Sequence, residues 1–148
     1  MPERGRTMRV RRLRPSAVMP RYMSAGAAGM DLSAAIDGPV TVQPGATEVV
    51  PTGLALELPP GHEGQVRPRS GLAVRFGLTV VNAPGTIDED YRGEVLVALV
   101  NLGKSAVCIE PGMRIAQLVV APVTRVVVVE VEELTDTVRG SGGFGHTG

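Results

Sequence analysis

The residues best suited to chemistry lie in one short polar segment, 82–94, between two apolar, β-like runs. An aspartate such as Asp88 or Asp90 can orient and deprotonate a water within hydrogen-bond reach. Tyr91 can pack its ring against a sugar and reject an added hydroxyl, and Asn82 can present both a donor and an acceptor to a base edge. The segment therefore suits a pocket for a base, a sugar and a water that attacks a phosphate. The alternative is a polar β-turn whose aspartates hydrogen-bond their own backbone.

A second candidate is the pentapeptide Arg67–Gly71. Residues 70–75, followed by Gly77, predict one or two helical turns with Ser70 near the N-cap. Arg69 and Ser70 would then offer charged and neutral donors beside a helix start, an arrangement that suits a polyphosphate. The alternative is a strand end with a solvated arginine and a capping serine.

The glycine-rich tail, residues 139–148, is a third candidate. Glycine backbone can wrap a phosphate closely, Arg139 carries a fork of donors, and Phe144 suits stacking on a planar ring. His146 is the histidine placed to touch a ligand, whereas His62 is expected to be solvated. The tail does not match the Walker P-loop. The alternative is a flexible tail without a function.

Asp31 lies between apolar neighbours in a predicted strand, so it needs a partner if it is buried. Arg69 and Arg114 are the candidate partners, and an exposed edge-strand carboxylate is the alternative. Arg114 and Gln117 are polar interruptions in the long apolar run from Met113 to Val131, which Pro122 divides into two elements.

Frequent Pro-Gly turns between valine- and leucine-rich runs predict an all-β sandwich or barrel with one short helix. A first strand is expected near Val10. The other predicted strands are Val40–Val42, Thr47–Pro51, Leu54–Leu58, Glu63–Arg67, Leu78–Val81, Val95–Val100, Met113–Val123 and Val126–Val131.

The chain has 148 residues, which fits one domain, and aromatic residues make up only 3% of it. We therefore expect a core of valine, leucine, isoleucine and alanine, with part of the stability coming from subunit association. A formal net charge of zero gives no support for a nucleic-acid surface. Six of the first fourteen residues are arginines; they form either a polyanion-binding arm or, as we favour, a frayed terminus.

The remaining composition argues against several classes of protein. The single cysteine, Cys108, excludes an intramolecular disulfide and is expected to be a small buried hydrophobe. The sequence has no cysteine–histidine cluster for zinc. No apolar stretch reaches the roughly 18 residues that span a bilayer, and no apolar region of a signal peptide follows the first arginines. A cytoplasmic protein without a membrane partner is expected.

Five segments in this order resemble the trimeric dUTPase family over nearly the whole chain, from about Ala25 onward. Each is weak alone, and five in register are specific. The matching segments are Ala28–Ala34, Pro68–Ala73, Asn82–Glu94, Gly112–Leu118 and Arg139–Gly148.

The resemblance implies a jelly-roll-like β-barrel, assembled as a homotrimer with three active sites at subunit boundaries. It implies hydrolysis of dUTP to dUMP and pyrophosphate, which keeps uracil out of DNA and supplies dUMP for dTMP synthesis. Mg²⁺ would be held mainly by the triphosphate. Residues 1–138 would form the barrel, with residues 1–9 flexible, and residues 139–148 would close as a lid over the site.

The resemblance also implies a role for each candidate residue. Asp88 would position the water at the α-phosphate, and Tyr91 would exclude a 2′-hydroxyl. Asn82, with the backbone near Thr86 and Ile87, would read uracil and the 3′-hydroxyl. On the phosphate side, the implied contacts to phosphates or the catalytic water are Arg69, Ser70, Gly71 and Gln117, with Asp31 and Arg114 in a supporting network. In the tail, Phe144 would lie over uracil, and the β- and γ-phosphates would be contacted by Arg139, His146 and Thr147. Other parts of the substrate would be contacted by Gly85, Leu96 and Gly145. His146 stands where the family often has serine.

Two other functions fit parts of the pattern. One is a dCTP deaminase, or a bifunctional deaminase and pyrophosphatase, of the same broad superfamily. The other is a non-catalytic nucleotide-binding module. The glycine-rich tail with Phe144 favours dUTP hydrolysis over the deaminase, and the presence of Asp88 and Tyr91 together with the tail argues against the module.

Overall fold

The computed structural model describes residues 6–147, and within them the chain forms ten strands and one helix. Residues 1–5 of the expected flexible start, which include Arg4, lie outside the described residues. Gly148 at the end of the tail also lies outside them. The elements are β1 (Arg9–Arg12), β2 (Met30–Ser33), β3 (Val40–Val42), β4 (Thr47–Glu57), β5 (His62–Arg67), α1 (Ser70–Phe76), β6 (Leu78–Val80), β7 (Gly85–Ile87), β8 (Glu94–Asn101), β9 (Val107–Ile109) and β10 (Arg114–Pro122).

The strands form two four-stranded antiparallel sheets, in the orders β1-β4-β8-β6 and β2-β10-β5-β7, with β3 and β9 paired separately. One hydrophobic cluster draws side chains from both large sheets, including Leu32 and Leu118 from one and Leu54 and Leu99 from the other. This is a jelly-roll-like barrel, and the predicted all-β class is confirmed. The core within residues 6–147 is aliphatic as expected, because both tyrosines and both phenylalanines are exposed.

A bulge interrupts β4 and matters for the site. Pro51 pairs with Leu96 of β8 and Ala55 pairs with Glu94, so three residues of β4 face a single residue of β8. The hydroxyl of Thr52 donates to the carbonyl of Val95 at 2.6 Å inside this bulge. The two strands predicted over 47–51 and 54–58 are therefore one strand with an irregular middle.

Helix α1 begins at Ser70 and ends at Phe76, and the φ of 70° at the following Gly77 is left-handed, as the predicted glycine stop requires. Arg69 is the N-cap residue, and no side chain caps the helix, so the capping role considered for Ser70 is wrong. None of the helices in residues 6–147 is long and apolar enough to cross a membrane.

The strand predicted over Val126–Val131 is wrong for this single chain. Residues 123–131 form no strand, and the valines among residues 126–131 are between 55% and 89% exposed. A strand needs a neighbour for its backbone N–H and C=O groups, and no strand of the described chain pairs with this segment.

The expected burial of Cys108 is also wrong. In β9 the side chains of Val107 and Ile109 point into the core, so the alternation of a strand turns Cys108 outward. Its thiol donates to the carboxylate of Glu110 at 3.4 Å. That hydrogen bond, with smaller effects of burial and of the Glu110 charge, raises the pKa of Cys108.

Candidate active site

Four of the five matching segments, 28–34, 68–73, 82–94 and 112–118, lie on one sheet or next to it. Its strand order, β2-β10-β5-β7, places Asp31 of the first segment opposite Gln117 of the fourth. Gln117 in turn lies opposite Arg67, which precedes helix α1. Thr86, in the 82–94 segment, lies opposite Gln65 on β5. The topology thus gathers segments that are up to 86 residues apart in sequence, counted from Asp31 to Gln117.

One cavity on this sheet has the composition of a phosphate site. It encloses about 160 Å³ and is lined by Asp31, Arg69, Ser70, Gly71 and Gln117. The carboxylate of Asp31 lies 3.1 Å from Nη1 of Arg114 and 3.6 Å from Nε of Arg69. Both candidate partners of Asp31 therefore bind it, and the pairing compensates a charge whose side chain is only 20% exposed.

The same contacts fix the orientation of Arg69. Its Nε faces Asp31, and its Nη1 donates to the carbonyl of Arg114 at 3.2 Å. Its Nη2 has no hydrogen bond with a described residue. A planar guanidinium held on one side leaves its other donors pre-oriented for an anion.

Gln117 is held by the first and second segments together. Its Nε2 donates to the carbonyl of Pro68 at 3.0 Å. A Cβ on Gly29 would overlap its Oε1, so a larger residue at position 29 would displace the amide of Gln117. Gly29 is a supporting residue that sequence reasoning missed, although it stands inside the matching segment 28–34.

A second cavity of about 190 Å³ has the composition of a base and sugar site. Strand β7 is the last strand of its sheet, so its outer backbone edge is unpaired within the described chain. That edge offers donors and acceptors in a fixed row, as the expected uracil contacts of Thr86 and Ile87 require. The cavity is lined by Val66, Asn82, Gly85, Thr86, Ile87, Asp88, Tyr91, Glu94, Val95 and Leu96.

Asp88 follows β7 directly and is exposed at this cavity. Its carboxylate has no hydrogen bond or ion pair with any residue that the structure describes. Its main-chain carbonyl accepts the N–H of Tyr91 at 3.1 Å, which forms the turn. The turn is thus closed by backbone alone, and the alternative in which this aspartate bonds its own backbone does not hold. A carboxylate left free in this way can orient a water.

The structure does not bring the tail to either cavity. Arg139 donates from Nε to the carbonyl of Gly142 at 2.6 Å, and Phe144 is fully exposed. Gly145, His146 and Thr147 line neither the phosphate-side nor the base-side cavity.

The two cavities share no residue, and each is smaller than the roughly 300–1,000 Å³ typical of small-molecule sites. In the single chain the predicted site residues therefore line two separate cavities. The predicted residues Asn82, Gly85, Thr86, Ile87, Asp88, Tyr91 and Leu96 lie on the base side, and Asp31, Arg69, Ser70, Gly71 and Gln117 lie on the phosphate side.

Comparisons with known proteins identify relatives that match nearly the whole chain. The deoxyuridine 5′-triphosphate nucleotidohydrolase of Syntrophotalea carbinolica is 58% identical over 142 residues, which cover 96% of this chain and 97% of that protein. The protein of the same name from an Anaeromyxobacter species is 60% identical over 148 residues, covering 100% of this chain and 99% of that one.

Solved structures are similar over the same length. The dUTPase of Staphylococcus bacteriophage 80alpha, solved with dUPNHPP, matches with a TM-score of 0.89 at 28% identity, covering 96% of this chain and 98% of that chain. A mutant dUTPase from phage phi11 of S. aureus, which coordinates a structural Mg(II) ion, matches with a TM-score of 0.78 at 25% identity over 86% of this chain and 97% of that one. The family model described as dUTPase matches residues 16–148, and the chain belongs to the dUTPase family.

Proposed function

We propose that this protein hydrolyses dUTP to dUMP and pyrophosphate, with Asp88 positioning the attacking water at the α-phosphate. The observation that carries the proposal is the free carboxylate of Asp88 at the rim of a cavity that Asn82 and Tyr91 also line. The names of the relatives, at 58–60% identity over nearly the full chain, support dUTP as the substrate.

In the proposed reaction the water oxygen forms a bond to the α-phosphorus, and the bond from that phosphorus to the β-phosphate oxygen breaks. Pyrophosphate leaves, and one proton of the water passes through Asp88 to solvent. Arg69, with the backbone of Ser70 and Gly71, neutralises phosphate charge, and Gln117 contacts a phosphate or the catalytic water. Phosphoryl transfer depends mainly on positioning and charge neutralisation, which these residue types supply.

The residues that line the base-side cavity select the substrate. The backbone edge at Thr86 and Ile87, with Asn82, reads the Watson–Crick edge of uracil and the 3′-hydroxyl, and Gly85 and Leu96 shape the pocket. Tyr91 lies under the deoxyribose, where its ring leaves no room for a 2′-hydroxyl. Such a steric wall suits an enzyme that must reject UTP.

Mg²⁺ accompanies the substrate in this proposal. Within residues 6–147 there is no group of three or more His, Cys, Asp or Glu side chains that could hold a metal ion, and Asp31 is already paired with two arginines. These residues fit an ion held by the triphosphate oxygens, since Mg²⁺ in nucleotide sites commonly binds substrate phosphates and water. When bound, the ion supplies neutralising charge for the leaving pyrophosphate.

The complete site is formed between copies of the chain in a homotrimer. Two observations support this assembly: the base side and the phosphate side are separate cavities in one chain, and the valines of segment 126–131 are exposed. An exposed apolar segment of this size is typical of a surface that a partner covers. The tail, residues 139–148, then closes over the nucleotide, with Phe144 on uracil, Arg139, His146 and Thr147 on the β- and γ-phosphates, and Gly145 elsewhere on the substrate. Arg114 supports the site through Asp31.

The decisive assay measures pyrophosphate released from dUTP, UTP, dTTP and dCTP in the presence of Mg²⁺. We expect release from dUTP alone. Asp88→Asn should bind dUTP but turn it over about 10²–10⁴-fold more slowly, the usual contribution of a general base. Asp37→Asn, which alters an exposed carboxylate that lines neither cavity, is the matched control.

The other outcomes decide between the remaining functions. Ammonia released from dCTP would identify a deaminase, and tight dUTP binding without pyrophosphate release would identify a non-catalytic module. Unchanged turnover by Asp88→Asn would contradict the role assigned to that carboxylate. The expected cytoplasmic location stays a prediction.

A further inference from the structure

Arg14 has a firmly held side chain and belongs to none of the five matching segments; the match to the family model begins only at residue 16. Three hydrogen bonds join it to Glu94: Nη1 to Oε1 at 2.8 Å, Nη2 to Oε1 at 2.6 Å and Nη2 to Oε2 at 2.9 Å. Its Nε also points to the carbonyl of Ala35 at 3.5 Å. The pair is sheltered, with side chains 34% and 20% exposed. A bidentate pair of this kind fixes direction as well as distance.

The bulge of β4 holds the stem of Arg14 in place. Gly53, with a φ of 69°, accepts the N–H of Leu13 at 2.8 Å. A Cβ at Gly53 would lie 2.8 Å from Cβ of Ala17 and 3.3 Å from Cγ of Arg14. The N-terminal segment therefore packs closely against the bulge, which fixes the position from which Arg14 reaches Glu94.

Glu94 connects this contact to the base-side cavity. It is the first residue of β8, it lines that cavity, and its carbonyl accepts the phenol hydroxyl of Tyr91 at 2.8 Å. The side chain of Glu94 is thus held by Arg14, while its main chain holds Tyr91. Tyr91 is 44% exposed, and its ring is restrained by this hydrogen bond and by its close approach to Gly93, where a Cβ would lie 2.5 Å from the phenol oxygen.

We propose that Arg14 is a positioning residue for sugar selection, which acts through Glu94 to fix the ring of Tyr91. The inference rests on the proposed function, in which that ring excludes the 2′-hydroxyl of UTP. A ring that can move away leaves space for the extra hydroxyl and supports the deoxyribose less well. Lysine cannot replace Arg14 fully, because an ammonium group does not match both carboxylate oxygens in one plane.

The test compares kcat/KM for dUTP and UTP in Arg14→Gln, Arg14→Lys and the parent enzyme. We expect the dUTP/UTP ratio to fall about tenfold in Arg14→Gln, near the lower end of what a pocket discriminates for one small group. The fall should come from a higher KM for dUTP and better use of UTP, with a smaller fall in Arg14→Lys. Arg9→Gln is the control: it removes another arginine of the same segment, 78% exposed and paired with Glu57, far from Glu94 in sequence, and should keep the parent ratio.

A role limited to stability would give a different result. Activity would then fall equally on both substrates, the melting temperature would drop, and the ratio would stay constant, which would overturn the proposal. If Arg14→Gln does not fold, Glu94→Gln replaces it, since the amide oxygen still accepts one hydrogen bond. It should lower the ratio less but in the same direction, and an unchanged ratio would overturn the proposal.

A second measurement does not depend on catalysis. The chain has two tyrosines and no tryptophan, so in a Tyr22→Phe background Tyr91 is the only strong ultraviolet fluorophore. Adding Arg14→Gln should increase the quenching of Tyr91 by acrylamide, and adding Arg9→Gln should not. If the parent enzyme releases no pyrophosphate from dUTP, the proposed function is wrong, and quenching alone then decides the link between Arg14 and Tyr91. Unchanged quenching would overturn that link in either case.

Discussion

Replacing Gly53 with alanine tests whether the bulge of β4 and the N-terminal segment form one packed unit. A φ of 69° costs a non-glycine residue about 1–2 kcal/mol. The added methyl would also lie 2.8 Å from Cβ of Ala17 and 3.2 Å from Cβ of Ala35, closer than packed carbons allow. Overpacking of this kind costs about 1–3 kcal/mol. We therefore expect Gly53→Ala to lower the free energy of unfolding by about 2–5 kcal/mol in total.

The matched control is Gly45→Ala. Gly45 has a φ of 81°, but a Cβ there would meet no atom within 4 Å, so only the backbone term of about 1–2 kcal/mol applies. Urea unfolding of both variants at one protein concentration gives the packing term as their difference, about 1–3 kcal/mol. The concentration must match because the apparent stability of a protein that forms the proposed trimer depends on concentration. Equal losses of unfolding free energy in the two variants would refute the packing argument and, with it, the fixed position assigned to Arg14.

Three further predictions address the tail, the thiol and the core. Deleting residues 139–148 should reduce kcat/KM for dUTP and leave the mass of the assembly in solution at that of the proposed trimer. Full activity of the truncated protein would refute the proposed lid. Glu110→Ala removes the hydrogen bond, which is the largest cause of the raised pKa of Cys108, together with the effect of the Glu110 charge. The thiolate fraction should therefore increase at pH 8, with faster reaction with a disulfide reagent, and the advantage should vanish at pH values above both thiol pKa values. An unchanged rate at pH 8 would contradict the Glu110 contact. Asn101→Leu leaves the buried carbonyl of Val42 in β3, and the carbonyl of Ser105 and the N–H of Gly103 in the β8–β9 connection, without their side-chain partner. Chemical denaturation should show a loss of about 3 kcal/mol or more, whereas a loss below about 1 kcal/mol would mean that water replaces those bonds.

The sequence predicted the barrel well wherever a local pattern decides the structure. Turn-forming Pro-Gly steps and apolar runs gave the strands, and Gly77 marked the end of the helix. The errors occur where the outcome depends on neighbours. The run Val126–Val131 has the composition of a strand, but composition does not supply an adjacent strand. Cys108 lies in an apolar run, yet the pairing of β9 with β3 decides which of its faces is buried.

The site shows the same limit. Pairing of Asp31 with arginine could be predicted because a half-buried carboxylate needs a cation, and two arginines in the matching segments were available. The Arg14–Glu94 pair could not be predicted. The partners are 80 residues apart, and Arg14 is one of six arginines in a stretch that resembles a frayed terminus. Arg14 differs from the other arginines in its packing against the β4 bulge, and no sequence pattern predicts that bulge.

The exposure of Phe144 indicates what stabilises an ordered conformation of the tail, residues 139–148. The barrel packs its core with aliphatic side chains, and Phe144 is fully exposed. Within the described chain the tail has short local hydrogen bonds, such as that between Arg139 and Gly142, and no buried apolar contact. Such a segment cannot offset its own ordering entropy by folding alone. Its ordering free energy must come from a surface outside its own barrel, and a planar base with a polyanion matches what Phe144 and Arg139 offer. Closure of the tail should therefore depend on the nucleotide, so that loss of the tail affects catalysis without affecting the stability of the barrel.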